Sequence, residues 1–77
     1  MMSLNDWVKK YIPHGDGKKV LQRAGYTEGV LQGWRHGVKP NTTTVIFVSK
    51  TISLLYGHDY KTVVMEGIQA AARLTHE

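Results

Sequence analysis

Apolar residues recur along this chain at helical spacing. Leu4, Trp7, Val8, Tyr11 and Ile12 stand at i, i+3, i+4, i+7 and i+8, the stripe of an amphipathic helix. Ser3 precedes the stripe as a cap, and Asp6 falls in the first turn, where its charge suits the helix dipole. A first helix is therefore predicted over Leu4–Tyr11, broken by Pro13-His14-Gly15. A second is predicted over 17–24, with Asp16 as its cap and Val20, Leu21 and Ala24 on its inner face; Gly25 stops it. A third is predicted over 28–36, capped by the Thr27 hydroxyl, with Tyr26 and Leu31 placed to pack as a hydrophobic staple. Leu31 and Trp34 share its inward face, Glu28, Gly29, Gln32 and His36 the opposite one, and Gly37 ends it.

The next stretch is ambiguous by residue type. Thr42, Thr43, Thr44, Val45, Ile46, Val48, Thr51 and Ile52 are β-branched, which favours a strand. Periodicity decides for a helix, because Val45, Val48, Ile52, Leu55 and Tyr56 keep the helical repeat and strict polar–apolar alternation is absent. Ile46, Phe47 and Leu54 would widen its apolar arc, as for a central helix contacted on several sides. Asn41 or Thr42 caps this fourth helix and Gly57 terminates it. Asp59 caps a fifth, running from Tyr60 to about Leu74, with a stripe of Tyr60, Val63, Val64, Ile68, Ala71 and Leu74. Gly67 interrupts that stripe, and Ala70-Ala71-Ala72 gives it a smooth surface of small residues. The pattern predicts one all-α domain over 1–77, with five helices, no internal repeat and no low-complexity segment.

The segment from Gly25 to Gly37 has a distinctive spacing. Glycine is followed by an aromatic residue and Thr27, then by Leu31 six after the glycine, Trp34 nine after and Gly37 twelve after. This spacing resembles the phage repressor and Cro-type family, the lambda-repressor-like helix-turn-helix proteins. Pro40, Val45, Val48, Ser49 and Ile52 fit the next helix of that family, and the resemblance spans residues 16–56. Leu21 and Ala24 hold in reverse order the places the family fills with Ala and Leu. Gly17 stands where a polar residue, commonly Gln, opens the first helix of the motif, and Gly29 and Gly33 stand where Gln, Ser or Arg are frequent. The resemblance implies a compact five-helix, lambda-repressor-like helix-turn-helix domain with its motif at 16–37. It also implies a sequence-specific transcriptional regulator of phage or prophage origin, cytoplasmic and nucleoid-associated. Such a regulator occupies an operator and blocks polymerase, with its second motif helix in the major groove of double-stranded DNA.

On that reading, Glu28, Gly29, Gln32, Gly33 and His36 face the bases. Gln32 can pair with adenine and Glu28 can accept from the cytosine amino group, while the two glycines allow the helix backbone to approach closely. Lys18, Lys19, Thr27, Arg35, Lys39, Asn41 and Thr42 are candidate phosphate contacts, assisted by backbone N–H groups at the starts of the second and fourth helices. A homodimer is expected to pair through the fifth helix (59–75), with Val64, Gly67, Ile68 and Ala71 at the seam.

Composition narrows the alternatives. Ten Lys and Arg against six Asp and Glu give a net charge of +4, which suits a polyanionic partner. The chain has no cysteine, excluding disulfide scaffolds, thiol catalysis and cysteine-based zinc sites. His14, His36, His58 and His76 have no His or carboxylate partner at i+3 or i+4, so no metal is expected, and no cofactor either. Asp6, Asp16, Glu28 and Asp59 are explained as capping and dipole residues, and no nucleophile–base pair or phosphate loop is visible; an enzyme is not expected. No apolar run is long enough for a membrane span, and no secretion signal is expected at the N-terminus. A second functional class stays open: a small helical interaction module, of the antirepressor or antitoxin-partner kind, that binds a protein and does not read DNA.

Overall fold

Helix ends leave backbone N–H and C=O groups without partners, and local side chains or glycines satisfy some of them in this chain. The computed structural model describes residues 2–74. Among these it contains five helices and no strand: α1 (Leu4–Tyr11), α2 (Gly17–Arg23), α3 (Gly29–Arg35), α4 (Thr42–Tyr56) and α5 (Tyr60–Leu74). His76 and Thr75 lie outside the described residues, as do the side chains of Arg73 and Leu74. No helix is long and apolar enough to cross a membrane among the described residues.

α1 opens on a reciprocal capping box. The Ser3 hydroxyl accepts the Asp6 N–H at 3.1 Å, and the Asp6 carboxylate accepts the Ser3 N–H at 3.4 Å. Asp6 therefore does more than complement the dipole. α4 is capped by Asn41, whose side-chain oxygen accepts the Thr43 N–H at 2.8 Å. It ends at Gly57, whose positive φ of 73° lets its N–H reach the Ser53 carbonyl. Asp59 caps α5 by accepting both the N–H and the hydroxyl of Thr62.

Two expected caps do not form. Asp16 precedes α2 with φ −95° and ψ 0°, outside the extended geometry that aims a side chain at the first turn. Its carboxylate instead accepts the Tyr56 hydroxyl at 2.7 Å, fastening the start of α2 to the end of α4. Thr27 does not cap α3 through its hydroxyl either. Glu28 already has helical dihedrals, so the turn opens from the Thr27 carbonyl, which accepts the Val30 N–H.

The core is built around Trp7. Its ring is fully buried, lies 6.4 Å from that of Trp34 and 6.2 Å from that of Tyr11, and its N–H donates to the Val63 carbonyl at 3.0 Å. Leu4, Val20, Leu21, Leu31, Val45, Val48, Ile52 and Ala70 complete the packing. α5 lies against α4 and α1, α2 against α4, and α3 against α1.

α4 departs from expectation in which residues it buries. Phe47 and Leu54 do not widen a buried arc; they are 43% and 86% exposed. The arc is filled by Thr44, Ser49 and Thr51 instead. Ser49 and Thr51 donate their hydroxyls to the carbonyls of Val45 and Phe47 one turn back, which makes burial of these polar groups tolerable.

Gly67 and Ala71 are also part of this core rather than a free seam. A Cβ on Gly67 would lie 2.8 Å from both Trp7 and Val45, so glycine is what lets α5 approach α1 and α4. Ala71 is buried beside it. Of the expected interface residues, Ile68 is exposed and Val64 half-buried.

Candidate nucleic-acid interface

Two glycines twelve residues apart fix where α3 begins and ends. After α2, Gly25 takes a φ of 93°. The Gly25 N–H then reaches the Gln22 carbonyl and the Tyr26 N–H the Leu21 carbonyl, the paired bonds of a Schellman motif. After α3 the same arrangement recurs. Gly37 has φ 85°, its N–H reaches the Trp34 carbonyl, and the Val38 N–H reaches the Gly33 carbonyl at 2.9 Å. Both turns need a left-handed residue that only glycine adopts without strain. Between them, Leu31 and Trp34 are buried and hold the helix down.

The opposite side of α3 is displayed. At 3.6 residues per turn, Gln32 and His36 lie one above the other with Gly29 beside them, and all three are exposed. Gly29 is open, since a Cβ there would meet only the Thr27 hydroxyl, at 3.4 Å. Gly33 is not the bare position expected of it. The Val38 side chain folds back to within 3.5 Å of where its Cβ would be. Gly17 has a packing reason too: a Cβ there would lie 2.8 Å from Leu31 Cδ1, so glycine at the start of α2 admits α3's anchoring leucine.

Glu28 and Arg35 form the edge of α3 that faces α1. With Gln32 they line an open groove of about 760 Å³, whose other wall is Asn5 and Lys9 of α1 and whose end is His14 and Gly15. Val8, Ile12, Pro13 and Leu31 supply its apolar lining. On the far side of Gly15, Lys18, Lys19, Gln22 and Arg23 line a second, shallower depression along α2. Asn5, Lys9 and His14 do not stand out in the sequence, because nothing in the spacing of α1 shows that it packs beside α3.

The charges divide unevenly. Asp6 and Asp59 are in caps, Asp16 is held by Tyr56 with Lys19 at 3.6 Å, and Glu66 binds Lys10 at 2.7 Å and accepts the Tyr11 hydroxyl. The Tyr56 hydrogen bond, assisted by Lys19, holds the Asp16 carboxyl below its usual range; Lys10 and then Tyr11 do the same for Glu66. Glu28 is the one carboxylate among the described residues with no hydrogen bond or ion pair; it stands at the N-cap of α3, where its charge suits the helix dipole, but its side chain makes no capping bond.

Among the cations, Lys10 and Lys19 are paired, and Lys50 lies over the Phe47 ring. Lys9, Lys18, Arg23, Arg35, Lys39 and Lys61 are exposed and have no carboxylate within ion-pair distance. Lys19, a candidate phosphate contact, is exposed and lies 3.6 Å from the Asp16 carboxylate and over the Tyr56 ring. Thr27, Thr42 and Asn41 are exposed, with Asn41 occupied as the α4 cap. Among the described residues no cluster of three or more His, Asp or Glu side chains is arranged to hold a metal. Comparison with protein-family models, with curated proteins and with solved structures finds no match to this chain.

Proposed function

We propose that this chain binds double-stranded DNA with the displayed face of α3 and regulates transcription by occupying an operator. The observation that carries the reading is the division of charge. Of the exposed cations left without a carboxylate partner among the described residues, five, Lys9, Lys18, Arg23, Arg35 and Lys39, lie in α1–α3 and the loop that follows, around an exposed face bearing Gln32 and His36, against Lys50 on α4 and Lys61 on α5. Unpaired cations around a displayed helix are what neutralising a phosphate backbone needs, and amide and carboxylate side chains between them can address base edges. Gln32 and Glu28 are the side chains assigned to that readout. Pairing of two copies belongs to the proposal only through residues the core leaves open, Ile68 and the half-buried Val64.

Titration of the chain with a random-sequence 20-base-pair duplex at about 50 and 200 mM salt tests this. Neutralising several phosphates makes affinity fall steeply between the two conditions. Affinity that is absent at both salts overturns the reading and favours the protein-interaction module. Sedimentation of the complex on a palindromic duplex reports whether one or two copies bind.

A further inference from the structure

We infer that α1 is part of the nucleic-acid surface, and that Lys9 contacts the phosphodiester backbone flanking the segment that α3 reads. The inference rests on the DNA-binding reading and extends it to a helix outside the helix-turn-helix segment.

Three observations converge on Lys9. First, α1 packs beside α3, and the groove between them is walled by Asn5 and Lys9 on one side and by Glu28, Gln32 and Arg35 on the other. Whatever approaches Gln32 and Arg35 therefore meets Asn5 and Lys9 at the same rim. Second, α1 carries two adjacent lysines with different fates. Lys10 turns toward α5 and binds Glu66 at 2.7 Å, whereas Lys9 is exposed with no carboxylate within ion-pair distance. Third, the groove combines Lys9 and Arg35 on its two rims, with Glu28 its one anion, and the apolar lining of Val8, Ile12, Pro13 and Leu31. A nucleic-acid backbone offers the matching pair of surfaces, anionic phosphate and the less polar face of the sugar. An α-helix nearly fills the width of a major groove, so side chains at its flanks stand next to the phosphates of the groove walls. Lys9 and Arg35, on opposite walls of one groove, would address the same backbone, with Asn5 one turn from Lys9 as a neutral donor.

The two lysines supply a matched test, since Lys9→Ala and Lys10→Ala remove the same charge from neighbouring positions. Each variant and the parent are titrated with the random-sequence 20-base-pair duplex across salt, with circular dichroism to confirm equal helix content. Lys9→Ala is expected to lower the slope of log affinity against log salt by about 1, and the affinity ratio between about 50 and 200 mM salt by about 3.5-fold. Lys10→Ala is expected to keep the parent slope. A parent slope in Lys9→Ala, together with a reduced slope in Arg35→Ala, overturns the inference and leaves the DNA reading standing. A parent that shows no salt-dependent binding overturns both. Lys9→Glu gives a second reading of the same contact, and its slope must fall at least as far as that of Lys9→Ala.

Discussion

α3 and α5 both carry glycine on a helical face, and the two helices use it in opposite ways. α5 is a fifteen-residue helix with a side-chain cap at its start. Its Gly67 is buried where a Cβ would strike Trp7 and Val45, its Val63 carbonyl receives the Trp7 N–H, and its Glu66 binds Lys10 and Tyr11. α3 has seven residues and no side-chain cap, and a Cβ on its Gly29 would meet only the Thr27 hydroxyl, at 3.4 Å. A helix that short is not stable alone, because the nucleation cost is not recovered below about 12–15 residues. Its position is imposed from outside, by the buried Leu31 and Trp34 and by the two glycine turns that bracket it. One helix is built into the core; the other is held against it and left displayed. Gly67 in the first is a packing requirement, and Gly29 in the second is a gap in a surface.

The sharpest way to break this comparison is to add one methyl group to each helix. Gly67→Ala is expected to destabilise the chain by about 1–3 kcal/mol, the range for overpacking a filled core. The atoms it would meet are a fully buried indole and a fully buried valine, which have little room to move. Gly67→Glu adds a buried charge to the same clash and is expected not to fold. Denaturant unfolding of Gly67→Ala with the parent's midpoint would show that α5 does not approach Trp7 as closely as described.

The same methyl on α3 should have the opposite sign. Gly29→Ala meets only the Thr27 hydroxyl at an ordinary contact distance, so what remains is the helix preference for alanine over glycine. Gly29 is the first residue of α3 and not an interior one, so the expected gain is less than about 0.5 kcal/mol, read as a higher denaturant midpoint with an unchanged slope. A loss of stability at this position would mean that the face of α3 is covered and not displayed.

Most of the fold is legible in the sequence because the helix ends carry explicit signals. Ser3, Asn41, Gly57 and Asp59 act where their residue types predict, and the stripe of Leu4, Trp7 and Tyr11 is buried as its spacing requires. Legibility fails where a local rule competes with a distant partner. Asp16 has the identity of a cap, but the Tyr56 hydroxyl, forty residues away, takes its carboxylate. Gly67 looks like a gap for a second copy until Trp7, sixty residues earlier, is seen against it. α4 shows a third kind of failure. Its apolar arc was assigned by hydropathy, yet Thr44, Ser49 and Thr51 are buried while Phe47 and Leu54 are exposed. Hydroxyls that bond one turn back within their own helix can enter a core, and no hydropathy count registers that. Of the candidate site, the displayed face of α3 is readable from the Gly25–Gly37 spacing. The α1 wall of the groove is not, since it depends on how two separate helices pack.

The comparison extends to how the displayed and built-in parts are fastened, and pH offers the mildest test of it. Two clusters of similar composition do the fastening. Tyr56, Asp16 and Lys19 tie the start of α2 to the end of α4, and Tyr11, Glu66 and Lys10 tie α1 to α5. In each, the carboxyl is held below its usual range, chiefly by the tyrosine hydroxyl at Asp16 and by the lysine at Glu66. A depressed folded-state value contributes stability that is present above the ordinary carboxylate range and is lost as pH falls through the depressed one. Tyr56 moves the other way. Burial, reinforced by Asp16, raises its hydroxyl from 10.0 to about 12. That contribution is present below pH 10.0 and is lost as pH climbs toward about 12. Tyr56→Phe removes the hydroxyl from the α2–α4 cluster and leaves the α1–α5 cluster intact. Its unfolding free energy is therefore expected to depend less steeply on pH than the parent's, both on the acid side and between pH 10.0 and about 12. Glu66→Gln should flatten the acid side, where the Glu66 carboxyl is held down, and also the alkaline side, because, beside burial at Tyr11, the same carboxylate helps hold the Tyr11 hydroxyl and Lys10 above their ordinary ranges. Parallel pH profiles for Tyr56→Phe and the parent would mean that the tyrosine does not fasten α2, and that the displayed half is held by Leu31, Trp34 and its glycine turns alone.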